Sequence, residues 1–357
     1  MALYAIERID DAVSLTRSLL FPFDAGLWAR LAVVVFFLGI GSGGGNITSS
    51  VSNAPSATSS AGPSAAGADF SIDPTAVTIP GDVLAALAIV AVLAFAIWAV
   101  LAWIGATMEF VFVESLAEQS ASLRRGFGRH RGRGLRLFGF RLALLLVTLS
   151  LFAGAALVIF WDPVTTWFAG GSPTVHESQL LVGIAAVFFF SLLVGIPALL
   201  IHGLTTEFVV PIMLREECGV LVGWGRLWST IKAQWKQYVV YVLVAFGLRI
   251  ATSLAAGIVL GIVGIVVAIP FVIVGVLLGF GAVTSGTLTT PLLVGLVLLV
   301  LAFLAVFALV GALVYVPIQS FHRYFALLFV GDVESDFDVL EGIRPPLEDE
   351  FVRSAEG

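Results

Sequence analysis

The stretch from Thr107 to Leu149 limits what this chain can fold into more than any other. It leaves one long apolar run through Thr107-Met108-Glu109-Phe110-Val111 and passes a short amphipathic piece. It then gathers Arg124, Arg125, Arg129, Arg131, Arg133, Arg136 and Arg141 and ends inside a second apolar run. A basic loop between two membrane-length apolar segments stays on the cytoplasmic side of a bilayer. Only 12% of the residues are charged and 59% are hydrophobic, against about 25% charged in an ordinary soluble domain. Lipid therefore surrounds most of the chain, and its length admits several helical spans of about 20 residues. The fold class is all-α, integral membrane.

The remaining segments fall into place around that loop. Residues 2–20 set Leu3, Ile6, Ile9, Val13, Leu19 and Leu20 against Glu7, Arg8, Asp11, Ser14 and Ser18. That stripe predicts an amphipathic helix in the membrane interface over 1–22, too polar to cross, with Pro22 as its breaker. Glu7, Arg8, Asp10 and Asp11 interrupt any signal-peptide core. A polytopic domain over 23–330 follows. Its spans are expected at about Leu27–Ile40, Val83–Gly105, Leu137–Trp161 and Leu180–His202, the last running on to Val210 and ended by Pro211. Residues 41–81 are rich in Gly, Ser and Ala and lack basic groups, which predicts a flexible outer loop. Within it, Asn46-Ile47-Thr48 matches the N-glycosylation acceptor pattern. A second short outer loop is expected over Asp162–Gln179. Residues 213–237 place Trp224, Leu227, Trp228, Ile231 and Trp235 at helical spacing beside Arg226, Lys232 and Lys236, as in a helix lying on the inner leaflet.

Tyr238–Gly281 admits one long span plus an apolar outer segment, or two spans with a turn near Gly261. The final span is expected over Pro291–Val316 with a stop at Pro317, and residues 331–357 form an acidic cytoplasmic tail. A threefold repeat favours six spans in three hairpins over the alternative of seven. Three spans open on Arg30-Leu31-Ala32, Arg141-Leu142-Ala143 and Arg249-Ile250-Ala251. Two others close on Thr107-Met108-Glu109-Phe110-Val111 and Thr205-Thr206-Glu207-Phe208-Val209. With six spans, Arg249 starts the fifth, Pro270 ends it, and Phe271–Thr290 is an apolar outer segment. Six spans also put all 18 Lys and Arg residues on the inner side, with both termini cytoplasmic, whereas seven would put Arg323, Arg344 and Arg353 outside.

Phe21-Pro22-Phe23-Asp24, Arg30-Leu31-Ala32, Gly43-Gly44-Gly45-Asn46 and Arg323-Tyr324-Phe325-Ala326-Leu327-Leu328 make the chain resemble a family of haloarchaeal multi-pass membrane proteins with no established activity. Only Lys232 and Lys236 are lysine among the basic residues, which suits a high-salt archaeal cytoplasm. The layout is also similar to the non-catalytic membrane domain found beside glycerophosphodiester phosphodiesterases. The first resemblance implies a membrane location and no established activity; the second concerns a non-catalytic part of those proteins, so no phosphodiesterase activity carries over.

The candidate site is a polar cluster at the inner helix ends: Arg30, Glu109, Arg141, Glu207 and Arg249. Ionisable groups within a membrane mark solute or proton paths; the same residues also serve as ion pairs that fix helix ends. His202 and Glu207 are too few for zinc, which wants three or four ligands, and Cys218 is the only cysteine. No cofactor, metal or catalytic set is expected, and the arginine stretch lacks the interleaved aromatics of a nucleic-acid surface. The sequence therefore points to a non-enzymatic membrane protein that organises lipids or partner proteins, the acidic tail being a surface for the latter. The alternative is a small-solute transporter or permease.

Overall fold

The computed structural model describes residues 4–41, 81–171, 176–285 and 290–344. Every regular element among them is helical: α1 (Tyr4–Leu20), α2 (Ala25–Gly41), α3 (Gly81–Ala117), α4 (Leu123–Ile159), α5 (Trp161–Phe168), α6 (Glu177–Arg215), α7 (Val220–Ala233), α8 (Trp235–Ser285) and α9 (Thr290–Val333), then a 3-10 turn at Ser335–Phe337. Five of them, α3, α4, α6, α8 and α9, are long and apolar enough to cross a membrane, and α2 is a shorter apolar helix. Asn46 with the loop over 42–80, and the acidic residues beyond 344, lie outside the described residues.

Several helices run further than the sequence suggested. The arginine stretch is not a loop: Arg124 to Arg141 all lie on α4. Arginine is a strong helix former, so long as its charge can reach water or an acid. The segment Phe271–Thr290 is not a separate outer piece as far as Ser285, because α8 continues without a break through Pro270. Arg249 consequently lies well inside α8 instead of starting a span. Likewise α9 passes Pro317 and α6 passes Pro211. An irregular backbone in an apolar medium would strand its N–H and C=O groups, so continuing the helix with one bond missing is cheaper. In α6 the accommodation is visible. π-Helical turns at Ser191–Gly195 and Thr205–Val209 each precede a proline, Pro197 and Pro211. The wider turn gives the proline ring room where it would strike the carbonyl four residues back.

The chain divides into two compact units whose boundaries fall inside helices, at Val100/Leu101, Leu135/Arg136 and Thr206/Glu207. In the first unit α1, α2 and α8 pack on α9. Its core is aromatic: the Tyr241 ring stacks on Phe329 at 4.5 Å and on Phe325 at 5.2 Å, and Phe208 meets it edge-on at 4.9 Å. The Tyr324 hydroxyl, buried in the same core, donates to the Leu116 carbonyl at 2.9 Å. Glycine brings α4 hard against α3. A Cβ on Gly134 would stand 2.7 Å from the Thr107 Cα, and one on Gly126 would stand 3.2 Å from Val111. The part of α9 before Gly311 and the part of α8 after Arg249 instead expose most of their aliphatic side chains. Helices that are apolar on every side belong in lipid.

Helix α1 also turns a different face inward than its apolar stripe suggested. Arg8, Ala12, Leu15 and Leu19 are buried, whereas Ile6 and Val13 are exposed. The reason is the ion pair Arg8 makes with Asp332, which removes the penalty for burying its charge.

In the second unit, α5 occupies part of the expected outer loop. Phe152, Ala156, Ile159, Phe160, Gly183 and Phe190 line a cavity of about 50 Å³.

Candidate functional site

A carboxylate on an apolar helix must find a cation or a set of donors, or else lose its charge. Glu109, on the buried half of α3, is 1% exposed and accepts from the Arg323 guanidinium, itself 7% exposed. The same guanidinium lies over the Phe112 ring at 5.9 Å. Glu207 stands on the π-helical turn of α6. It accepts from the Tyr241 hydroxyl at 2.9 Å and from Arg249. Thr252, three residues after Arg249, and His322, next to Arg323, share a hydrogen bond of 2.9 Å between Oγ1 and Nε2. These groups form one tier of charge across α3, α6, α8 and α9.

A second tier lies about 14 Å further along α9, by helical rise. Arg8 of α1 grips Asp332 in bidentate fashion, through Nε at 2.8 Å and a terminal nitrogen at 3.0 Å. Arg344 folds back onto the same carboxylate and donates to Asp338 at 2.6 Å. Phe337 and Leu340 are buried beside it. Within the acidic segment, Asp332 and Asp338 are thus held by arginines, while Asp336 and Glu341 are exposed. On α3 and α4, Glu114 meets Arg129 and, at 3.2 Å, His130.

Of the five residues expected to cluster, Glu207 and Arg249 are in contact. Glu109 goes to Arg323 instead. Arg30 donates to the Ala121 carbonyl at 3.1 Å, and Arg141 donates to the Thr206 hydroxyl at 2.7 Å. The pattern of the two matching motifs still holds at the level of chemistry: each supplies a glutamate that an arginine from α8 or α9 engages, followed by a fully buried phenylalanine, Phe110 or Phe208. Arg323, Tyr241, Arg8 and Asp332 escaped the sequence reading. An arginine inside an apolar helix was the available signal for Arg323; the others gave none.

Chemically, these carboxylates are hydrogen-bond acceptors whose charge is already neutralised by guanidinium groups, an arrangement that locks helix ends together. Among the described residues, no three of His, Cys, Asp and Glu converge as metal ligands. The 50 Å³ cavity offers a solute only apolar walls. A family model described as a family of unknown function, DUF7544, matches residues 3–340. No curated protein and no solved structure matches the chain.

Proposed function

The chain belongs to the DUF7544 family, whose function is unknown, and from that premise we propose that it is a non-enzymatic multi-pass protein of the cell membrane that organises lipids or partner proteins. The observation that carries this reading is the pairing of its intramembrane acids. Glu109 with Arg323, Glu207 with Arg249, and Asp332 with Arg8 and Arg344 hold helices to one another instead of lining a polar path. The proposal includes six spans, both termini on the cytoplasmic side, and haloarchaeal relatives. The concentration of Lys and Arg at one end of the helices supports that orientation. A cationic protein partner would find its complement in the acids beyond residue 344, Glu348, Asp349 and Glu350.

Native mass spectrometry of protein released into mild detergent tests the reading. The expected result is a retained lipid or a stoichiometric protein. A small solute carried by the native protein and lost on Glu207→Gln, with the fold intact, would replace the proposal by transport. The π-helical turn bearing Glu207 is the feature such a result would implicate, since π turns recur at functional sites.

A further inference from the structure

The chain has only two lysines, and they lie together. Lys232, in the last turn of α7, stands with its ammonium 5.6 Å from the centre of the Trp228 ring. Lys236, in the first turn of α8, stands 5.9 Å from the centre of the Trp235 ring. All four side chains are exposed, Trp228 at 53% and Trp235 at 58%. Neither ammonium has a carboxylate partner among the described residues.

We propose that Trp228, Lys232, Trp235 and Lys236 seat the phosphate headgroup of an anionic phospholipid, in the leaflet nearest the tiers of paired charge. The inference rests on the membrane reading above and names the lipid class that reading leaves open.

Three observations select a lipid as the occupant. First, the face of α7 that carries Lys232 is otherwise apolar: Trp228 lies one turn before it and Leu221 two turns before that, both exposed. Second, Trp235 opens an apolar side of α8. Trp235, Val239, Leu243, Phe246 and Ile250 recur at three- and four-residue steps along one exposed face. An acyl chain can follow that stripe while its headgroup stays at the tryptophan level, where indole rings prefer to lie. Third, the charge is complementary. Two unpaired ammoniums on flexible stems can snorkel to a phosphate, and each indole holds its lysine nearby through a cation–π contact.

The arginines at the start of α4 make a useful comparison. Arg124, Arg125 and Arg131 are also exposed, but Gly128 lies between them and Gly132 follows, both where a Cβ would meet open space. They offer charge without the apolar stripe that an acyl chain needs.

The experiment reconstitutes the full chain in vesicles of equal parts phosphatidylcholine and phosphatidylglycerol. The protein is released into mild detergent and its bound lipids are weighed by native mass spectrometry. Phosphatidylglycerol is expected in preference to phosphatidylcholine. Lys232→Gln/Lys236→Gln is expected to lower that preference about thirtyfold, since each lysine near a charged surface contributes about fivefold. Lys232→Arg/Lys236→Arg should restore most of it, and Arg124→Gln/Arg125→Gln should leave it unchanged. An unaltered lipid profile in the glutamine variant, with the protein still in the membrane fraction, overturns the headgroup seat and leaves the membrane reading standing. A second copy of the chain retained in place of lipid, and lost in the same variant, overturns it in favour of a self-contact. Recovery of the native protein in the aqueous fraction sinks the membrane reading itself.

Discussion

At the scale of single residues, the two glutamates of the matching motifs differ in what they can tolerate. Glu109 and Arg323 are both buried, so replacing one leaves the other's charge in a medium that cannot solvate it. Glu109→Gln is expected to cost about 3–5 kcal/mol, the range for breaking one side of a buried pair. Glu109→Leu/Arg323→Met should cost clearly less, because it removes both charges and keeps the volume. Thermal unfolding in detergent measures both; equal losses in the single and double variants would show that the pair's charge is not what matters. Glu207 differs in having a neutral second donor, the Tyr241 hydroxyl at 2.9 Å, from which a glutamine carbonyl can still accept. Glu207→Gln should therefore fold, which makes it the proper variant for asking whether a solute is bound.

At the scale of the helix, α8 shows where sequence reasoning reaches its end. Apolar runs marked the lipid-facing parts of α3, α4, α6 and α9 because hydropathy reports the solvent directly. They did not mark where those helices stop. Pro211, Pro270 and Pro317 look like terminators in any sequence, yet in an apolar medium a proline costs one hydrogen bond while a break strands several groups. The partners of buried charges were hidden for another reason: Arg323 reaches a glutamate 214 positions away and Arg8 an aspartate 324 positions away, so no local pattern encodes them. What the sequence did reveal of the site was its chemistry, acids and arginines at helix ends, and one pair, Glu207 with Arg249. The continuity of α8 has a direct check. Amide hydrogen exchange of the reconstituted protein should find Val272–Phe280 as protected as Ala255–Leu260. Rapid exchange confined to the segment after Pro270 would restore the separate outer piece.

At the scale of the whole molecule, contacts inside the first unit bear on the six crossings proposed above. Arg8 of α1 and Asp332 at the end of α9 are in contact, so these two positions lie at one level, as the proposed arrangement requires. Arg30, near the start of α2, reaches Ala121, just after the end of α3. The start of α2 and the end of α3 therefore share a side as well. If α3 crosses, its first turn lies on the opposite side, and something between Arg30 and Gly81 must cross too. Residues 42–80 are dominated by Gly, Ser and Ala and contain no run apolar enough to do so, which leaves α2. Its apolar stretch Ala25–Gly39 spans about 22 Å by helical rise, short of a hydrocarbon core of about 30 Å, and a locally thinned bilayer makes up the difference. With α2 crossing beside the five long helices, the proposed arrangement has its six spans. Cys218, between α6 and α7, reports this with the native thiol. It should react with a membrane-impermeant maleimide only in vesicles whose cytoplasmic face is outward. Burial, reinforced by the nearby Glu216 carboxylate, raises its pKa. The thiolate fraction at neutral pH is therefore small, and labelling should accelerate as pH climbs toward that raised value. Ser52→Cys in a Cys218→Ser background should label from the other face. Labelling of both positions from the same side would mean that α2 does not cross, and the six-span arrangement would fall with it.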